Sequence, residues 1–464
     1  MHTEESTNIL ETYVNHLQNV GLNHQESYSL VLKVWVMVNN EFIKIIEDNK
    51  TISLSNIYSS NNFHLSDFVP LFEYYKVSKV LLEKELVENL CDFLANIDIE
   101  FLLSTIKDLK SRKAIGQYFT NPEMINQVYR NITNNSRLQR KFSVMDFSAG
   151  LGYFLKPFLK DNCSIYGVEL DPLVYELMLF SFLFHPSLTN NVKTRLVLTV
   201  KQGDSLIGFN EKTIDEILSK SILKANFLEY ISLRNKMLTI DEDVDLNDLK
   251  EYYERRNLFA EGAKRFKSFN WMLDFPELFF DQEGNLLEEI GVDYVVGNPP
   301  WVYYKDVDEK QYKKDILDPR ISNFLRGKYN FSLPFVILAH IISKEKGSLV
   351  VPQGILTETY AKKWRKEVFT KRAMSEIILC KKDWFEEVIN EFSIIFWDKK
   401  SKFSEIKLRN EITASEFTIP YDSIDRDLNL LRLLPPDILS FLKKIKAESP
   451  ILSDFISIRR GLTL

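Results

Sequence analysis

Asn298-Pro299-Pro300-Trp301 sets a side-chain amide, two prolines and an indole directly after the apolar run Asp293-Tyr294-Val295-Val296-Gly297. Proline has no N–H to donate and holds φ near one value, so such a loop is stiff and rich in acceptors. The Asn298 side-chain oxygen and the Pro299 carbonyl can take the two hydrogens of an amine. Gripping both hydrogens localises a lone pair otherwise delocalised into an attached ring, and the nitrogen becomes the better nucleophile. Trp301 adds a flat face on which that ring would stack, with Tyr303 and Tyr304 extending the wall. A rigid surface loop is the plain structural alternative.

Three more segments place chemistry at the ends of apolar runs. Asp146-Phe147-Ser148-Ala149-Gly150-Leu151-Gly152-Tyr153-Phe154 follows one such run, and its glycines allow a tight turn and a close approach of backbone to a ligand. A Gly-x-Gly turn also serves ordinary strand-to-helix packing. Glu169-Leu170 ends the next run, ahead of Asp171-Pro172; a carboxylate there can accept both hydrogen bonds of a ribose diol, or sit at a helix N-terminus. Gln202-Gly203-Asp204-Ser205-Leu206 repeats the pattern, with Asp204 able to accept from a ring amine or simply to form a turn.

The elements that must position these residues are strands alternating with helices, the mark of an α/β fold with a mostly parallel, doubly wound sheet. Strands are predicted over 143–146, 164–169, 196–200, 294–297, 347–351 and 392–397. A charged insertion, roughly 211–269, reads as a helical excursion on the sheet edge. Residues 1–110 form a separate N-terminal helical domain, with helical spacing over 29–38 and 80–87 and a polar break at Ser59-Ser60-Asn61-Asn62. A second domain spans 111–415, and 416–464 reads as a linker.

Composition narrows the function classes. Three cysteines, Cys91, Cys163 and Cys380, lie far apart with no C-x-x-C pair, which argues against disulfides and a structural zinc site. No metal-ligand set is read elsewhere. No basic leader or long apolar span points to secretion or a membrane, so a cytoplasmic location is expected. Net charge is −6, and residues 1–110 carry 8 Lys and no Arg against 16 Asp and Glu, which leaves 111–464 at about +2.

Taken in order, these motifs resemble the gamma class of N6-adenine DNA methyltransferases, particularly those of type I and type IIG restriction-modification systems. Gly116-Gln117-Tyr118-Phe119-Thr120-Asn121-Pro122 is similar to a Gly-Gln-Tyr-Phe-Thr-Pro segment of that class, with Asn121 inserted. Asp146 through Phe154 resembles its Asp-Pro-x-x-Gly-x-Gly-x-Phe loop, with Phe147 in place of proline. The segment Asn270 through Phe279 also looks like that subgroup, as do Tyr329-Asn330-Phe331 and 347–358. The resemblance covers roughly residues 110–400. It implies a Rossmann-like methyltransferase domain that binds S-adenosyl-L-methionine through Gln117, Tyr118, Phe119, Thr120, Asp146, Ser148, Gly150, Gly152, Phe154, Glu169, Leu170, Asp204, Ser205 and Asn298. It implies catalysis by Asn298, Pro299, Pro300 and Trp301 on adenine flipped out of double-stranded DNA. The tail, 456–464, looks like the start of a target-recognition domain, so sequence reading would belong to a further domain or subunit. Related loops also act on protein glutamine or RNA, and a cofactor-binding scaffold is the non-enzymatic alternative; the insertion and the tail favour DNA.

The near-neutral charge of 111–464 predicts weak DNA binding by this chain alone, roughly micromolar or weaker at physiological salt. Fluorescence anisotropy on labelled duplexes checks it; nanomolar, sequence-selective binding contradicts it.

Overall fold

A computed structural model of the chain describes residues 4–39, 51–52, 82–97, 102, 121–133, 141–183, 185, 188–209, 221–239, 246–262, 268–302, 312, 317–381, 391–424 and 444. The chain divides into two compact units, Met1–Leu349 and Val350–Leu464.

Besides a short antiparallel pair, Thr51–Ile52 with Leu82–Glu83, the first unit carries five strands of one larger sheet: β1 (Phe142–Asp146), β2 (Cys163–Glu169), β3 (Val200–Gln202), β4 (Val292–Gly297) and β5 (Ser343–Pro352), the last running into the second unit. Their order is β3-β2-β1-β4-β5, and every neighbouring pair is parallel. From β1 the chain steps outward to β2 and β3, then returns to β4 on the other side. With right-handed crossovers, that reversal sends the connecting helices to opposite faces, which makes the sheet doubly wound. Burial on both faces explains why Tyr294-Val295-Val296 and Leu349-Val350-Val351 read as continuous apolar runs rather than alternating ones.

Helix α1 (Glu4–Asn19), α2 (His24–Asn39) and α3 (Lys84–Leu94) form the N-terminal layer, and α4 (Pro122–Thr133) leads towards the sheet. The β2–β3 crossover holds α5 (Pro172–Leu183) and α6 (Asn190–Thr199). Nearly every residue of α5 is buried, because the helix lies between β2 and β3 on one side and α2 on the other. The β3–β4 insertion contains α7 (Ser221–Thr239) and α8 (Leu246–Gly262), which pack on one another as the expected helical excursion; α9 (Ser332–Ile342) crosses from β4 to β5.

One predicted strand differs. Residues 196–199, expected as the first part of the third strand, form the last turn of α6, and the Val200 N–H still bonds the Leu196 carbonyl. Leu196, Val197 and Leu198 are buried there in a helical connection, so packing outweighs the β preference of an apolar, branched run. Strand β3 is left with three residues.

The second unit contains α10 (Lys362–Thr370) and strands β6 (Met374–Leu379), β7 (Phe392–Asp398), β8 (Glu405–Asn410) and β9 (Ser415–Pro420). Strand β6 pairs antiparallel with β7 and parallel with β8, and β8 and β9 form a hairpin. Among the described residues no helix is long and apolar enough to cross a membrane.

A buried ion pair joins α2 to α5: Lys33 Nζ lies 3.0 Å from Glu176 Oε2, and Ser29 Oγ donates to the same oxygen at 3.3 Å. Burial lowers the Lys33 pKa and the Glu176 carboxylate opposes that shift. Lys33→Met is expected to destabilise the chain by roughly 3–5 kcal/mol, since it strands a buried carboxylate, while K33M/E176L regains most of the loss. Urea unfolding of the two variants checks the contrast.

Candidate active site

The parallel register brings the carboxyl ends of β1, β2, β3 and β4 to one side, and each carries a predicted site residue. Asp146 ends β1, Glu169 ends β2, Asp204 follows β3 and Asn298 follows β4. The two central members meet across the strand-order reversal. A Cβ built on Gly297 would lie 2.6 Å from Asp146 Oδ1, and Gly297 has φ +154°. Glycine is therefore required for steric and conformational reasons together, and the loop that starts at Asn298 leaves directly over the Asp146 carboxylate.

Asp146 is 1% exposed and accepts from the Ser148 N–H at 3.0 Å, with the Ser148 hydroxyl at 3.5 Å. Burial pushes its pKa up to about 7, partly opposed by the Ser148 hydrogen bonds. The turn that follows runs through positive φ at Gly150 and Gly152. Gly150 faces open space, whereas Gly152 packs on Phe182 and Met178 of α5, so the second glycine serves helix packing. Phe154 is buried in the core.

Glu169 clamps this turn: Oε2 accepts from the Gly150 N–H at 2.8 Å and Oε1 from the Asp171 N–H at 2.9 Å. The N-terminus of α5 is capped instead by Asp171, whose Oδ1 accepts from Leu173 and Val174. Glu169, 7% exposed, thus ties the glycine turn to the end of β2. Beside it Leu170 is 48% exposed, an apolar side chain presented at the carboxyl edge of the sheet.

Asp204 caps the short helix Ser205–Gly208 through Oδ1, bonded by the Leu206 and Ile207 N–H groups, so its turn-forming role is present. Its Oδ2 accepts from the Tyr312 hydroxyl at 2.6 Å, a partner the sequence did not suggest. Burial raises the Asp204 pKa, while these hydrogen bonds pull it down. Ser205 Oγ donates to the Phe147 carbonyl at 2.6 Å and ties this turn to the glycine turn.

Pro299 is buried, and Trp301 is 6% exposed and packed into the protein. The loop's far end is anchored by the Phe331 N–H, which donates to the Val302 carbonyl at 2.7 Å. Phe331 contacts Tyr312 and Phe335, and Phe335 stacks on Phe147, so aromatic rings run from the loop back to the glycine turn. The Asn298 Oδ1 is buried with no hydrogen-bond partner among the described residues. An orphaned acceptor of this kind costs about 1–3 kcal/mol and calls for a donor from outside the chain. Gln117, Tyr118, Phe119 and Thr120, with Tyr303, Tyr304 and the tail 456–464, lie outside the described residues.

The Asp146 environment predicts a pH signature. Its folded pKa lies above the unfolded value, so the folded state holds the extra proton between about pH 4 and pH 7. The associated stability is fully present below pH 4 and lost as pH rises through 7. Asp146→Asn is expected to stabilise the ligand-free chain at pH 8, by up to a few kcal/mol, and to do so much less at pH 5. Thermal unfolding at the two pH values checks it; an equal effect at both contradicts it.

Comparisons with known proteins agree with the motif reading. The Eco57I restriction-modification methylase family matches residues 163–385. A Methanocaldococcus jannaschii protein named as a type II restriction enzyme and methyltransferase is 27% identical over 202 residues, 40% of this chain and 16% of that protein. The chain thus spans under a fifth of the length of the curated relative it matches. Among solved structures, the type IIL restriction-modification enzyme MmeI in complex with DNA is 12% identical, with a TM-score of 0.49 over 92% of this chain and 61% of that one. The type I restriction-modification methyltransferase subunit of Streptococcus thermophilus is 14% identical, with a TM-score of 0.41 over 82% of this chain and 65% of that one. The segment that holds Glu169, Asp204 and the Asn298–Trp301 loop is thus matched by the restriction-modification methylase family, as its motifs had implied.

Proposed function

We propose that the chain transfers a methyl group from S-adenosylmethionine to the N6 amine of adenine in DNA, within a restriction-modification or related defence system. The observation that carries this reading is the buried Asn298 Oδ1, without a hydrogen-bond partner among the described residues, one position after the Gly297 backbone that packs against the Asp146 carboxylate. A nucleobase amine has the two hydrogens that Asn298 Oδ1 and the Pro299 carbonyl can accept, and neither atom competes for them with a donor of its own.

The residues present fit the cofactor. Gly150 leaves room over the turn, Glu169 holds that turn at the carboxyl end of β2 where a ribose diol is expected, Leu170 offers an apolar face to a base, and Asp146 is a buried carboxylate suited to a cationic ligand. S-adenosylmethionine supplies a methyl group on a sulfonium, already activated for attack. The chain therefore needs mainly to align the amine and to offer fixed acceptors, effects worth several kcal/mol. A target amine in duplex DNA must leave the stack, and stacking on the extruded base is assigned to Trp301, the aromatic member of the loop. Gln117 through Thr120 are assigned to the methionine end of the cofactor, and recognition of the target sequence to a further domain or subunit.

Asn298→Ala is expected to lower methyl transfer by at least about 100-fold while the variant still binds S-adenosylmethionine. The assay uses labelled cofactor, duplex DNA and nucleoside analysis. Label on cytosine or protein alone, or undiminished transfer by the variant, overturns the reading.

A further inference from the structure

The inserted helix α8 reaches the turn that carries Asp204 by a continuous set of hydrogen bonds. Arg256 forks onto Asp274, with Nε–Oδ1 and Nη2–Oδ2 both 3.0 Å, and its Nη2 also donates to the Ser268 carbonyl at 3.0 Å. Asp274 Oδ2 accepts in addition from the Asn270 N–H at 2.7 Å, and Asn270 Oδ1 accepts from the Met272 N–H. The fork therefore closes the 268–274 turn from both ends. A planar guanidinium holds such a carboxylate in one orientation, which an ammonium does not.

Two aromatic side chains of that turn bear on the site. Trp271 Nε1 donates to the Ser205 carbonyl at 2.8 Å, and Ser205 passes the contact on to the Phe147 carbonyl through its hydroxyl. Phe269 lies against Gly203 so closely that a Cβ there would sit 2.0 Å from the Phe269 Cβ. Asp204 stands between these two contacts. Any shift of the Phe269–Trp271 segment moves the backbone on both sides of it.

We propose that Arg256 is a positioning residue for the cofactor pocket: through Asp274 it fixes the Phe269–Trp271 wedge, which sets the Gly203–Ser205 turn and so places Asp204 and the Phe147 carbonyl. This rests on the reading of that pocket as the S-adenosylmethionine site. The insertion thereby contributes to cofactor affinity although none of its helical residues enters the pocket in this role. Arg255, its neighbour on α8, pairs with Glu229 and Glu251 at the surface and has no such route.

The test is calorimetric binding of S-adenosylmethionine to the full chain and to R256K, R256M and R255M, at a temperature where circular dichroism shows each to be folded. R256K keeps the charge beside Asp274 and is the variant expected to fold if R256M does not. The expected result is a Kd raised roughly threefold in R256K and at least tenfold in R256M, with R255M at the wild-type value. In transfer assays KM for the cofactor rises with Kd, while kcat at saturation stays within about twofold. Lowered melting temperatures with unchanged Kd in R256K and every other folded Arg256 variant overturn the proposal and leave the cofactor reading standing. A wild-type chain that binds no S-adenosylmethionine overturns the cofactor reading itself.

Discussion

The approach of the Gly297 backbone to the Asp146 carboxylate is the constraint on which the site depends. It arises because β1 and β4 are adjacent and parallel while their crossovers leave in opposite directions, which opens a crevice between their ends. Any side chain at 297 would occupy the carboxylate's place, and any other strand order would separate Asn298 from the glycine turn. One backbone contact thus sets the distance between the loop that would hold a methyl acceptor and the turn that would hold a methyl donor.

Around that crevice the chain keeps polar groups in a state that favours ligand over fold. Asp146, Glu169 and Asp204 each accept from neutral donors, backbone N–H groups and hydroxyls, and burial raises the pKa of both Asp146 and Asp204. Fixed acceptors that need not reorganise are the arrangement that stabilises positive charge efficiently in a dry pocket. On the proposed reading that charge belongs to the cofactor.

Much of this was legible because motif residues sit at strand ends, where type and position reinforce one another. Gly297-Asn298-Pro299-Pro300-Trp301, the Gly150–Gly152 turn and Glu169 could be placed from apolar runs and their punctuation. What the residues hid were contacts between distant segments. Tyr312 lies 108 positions from Asp204, and Arg256 acts on Asp274 across a loop, with no spacing rule to link either pair. The third strand failed for a related reason: 196–200 has a strand's composition, yet its packing is decided by neighbours that local pattern does not name. Strands β6, β8 and β9 were missed as well; β8 alternates charged and apolar residues and β9 is mostly exposed, without the apolar runs that mark the central sheet.

The Lys33–Glu176 pair has a consequence for how such chains can be recombined. Helix α5, which begins just after Glu169, carries in Glu176 a charge whose counter-ion belongs to α2. The N-terminal layer is therefore not an interchangeable appendage: grafting a different one onto the central sheet, in evolution or in protein engineering, demands either a cation at the equivalent spot or simultaneous loss of the acid. Chimeras that ignore this linkage would leave a buried carboxylate without its cation against the central sheet.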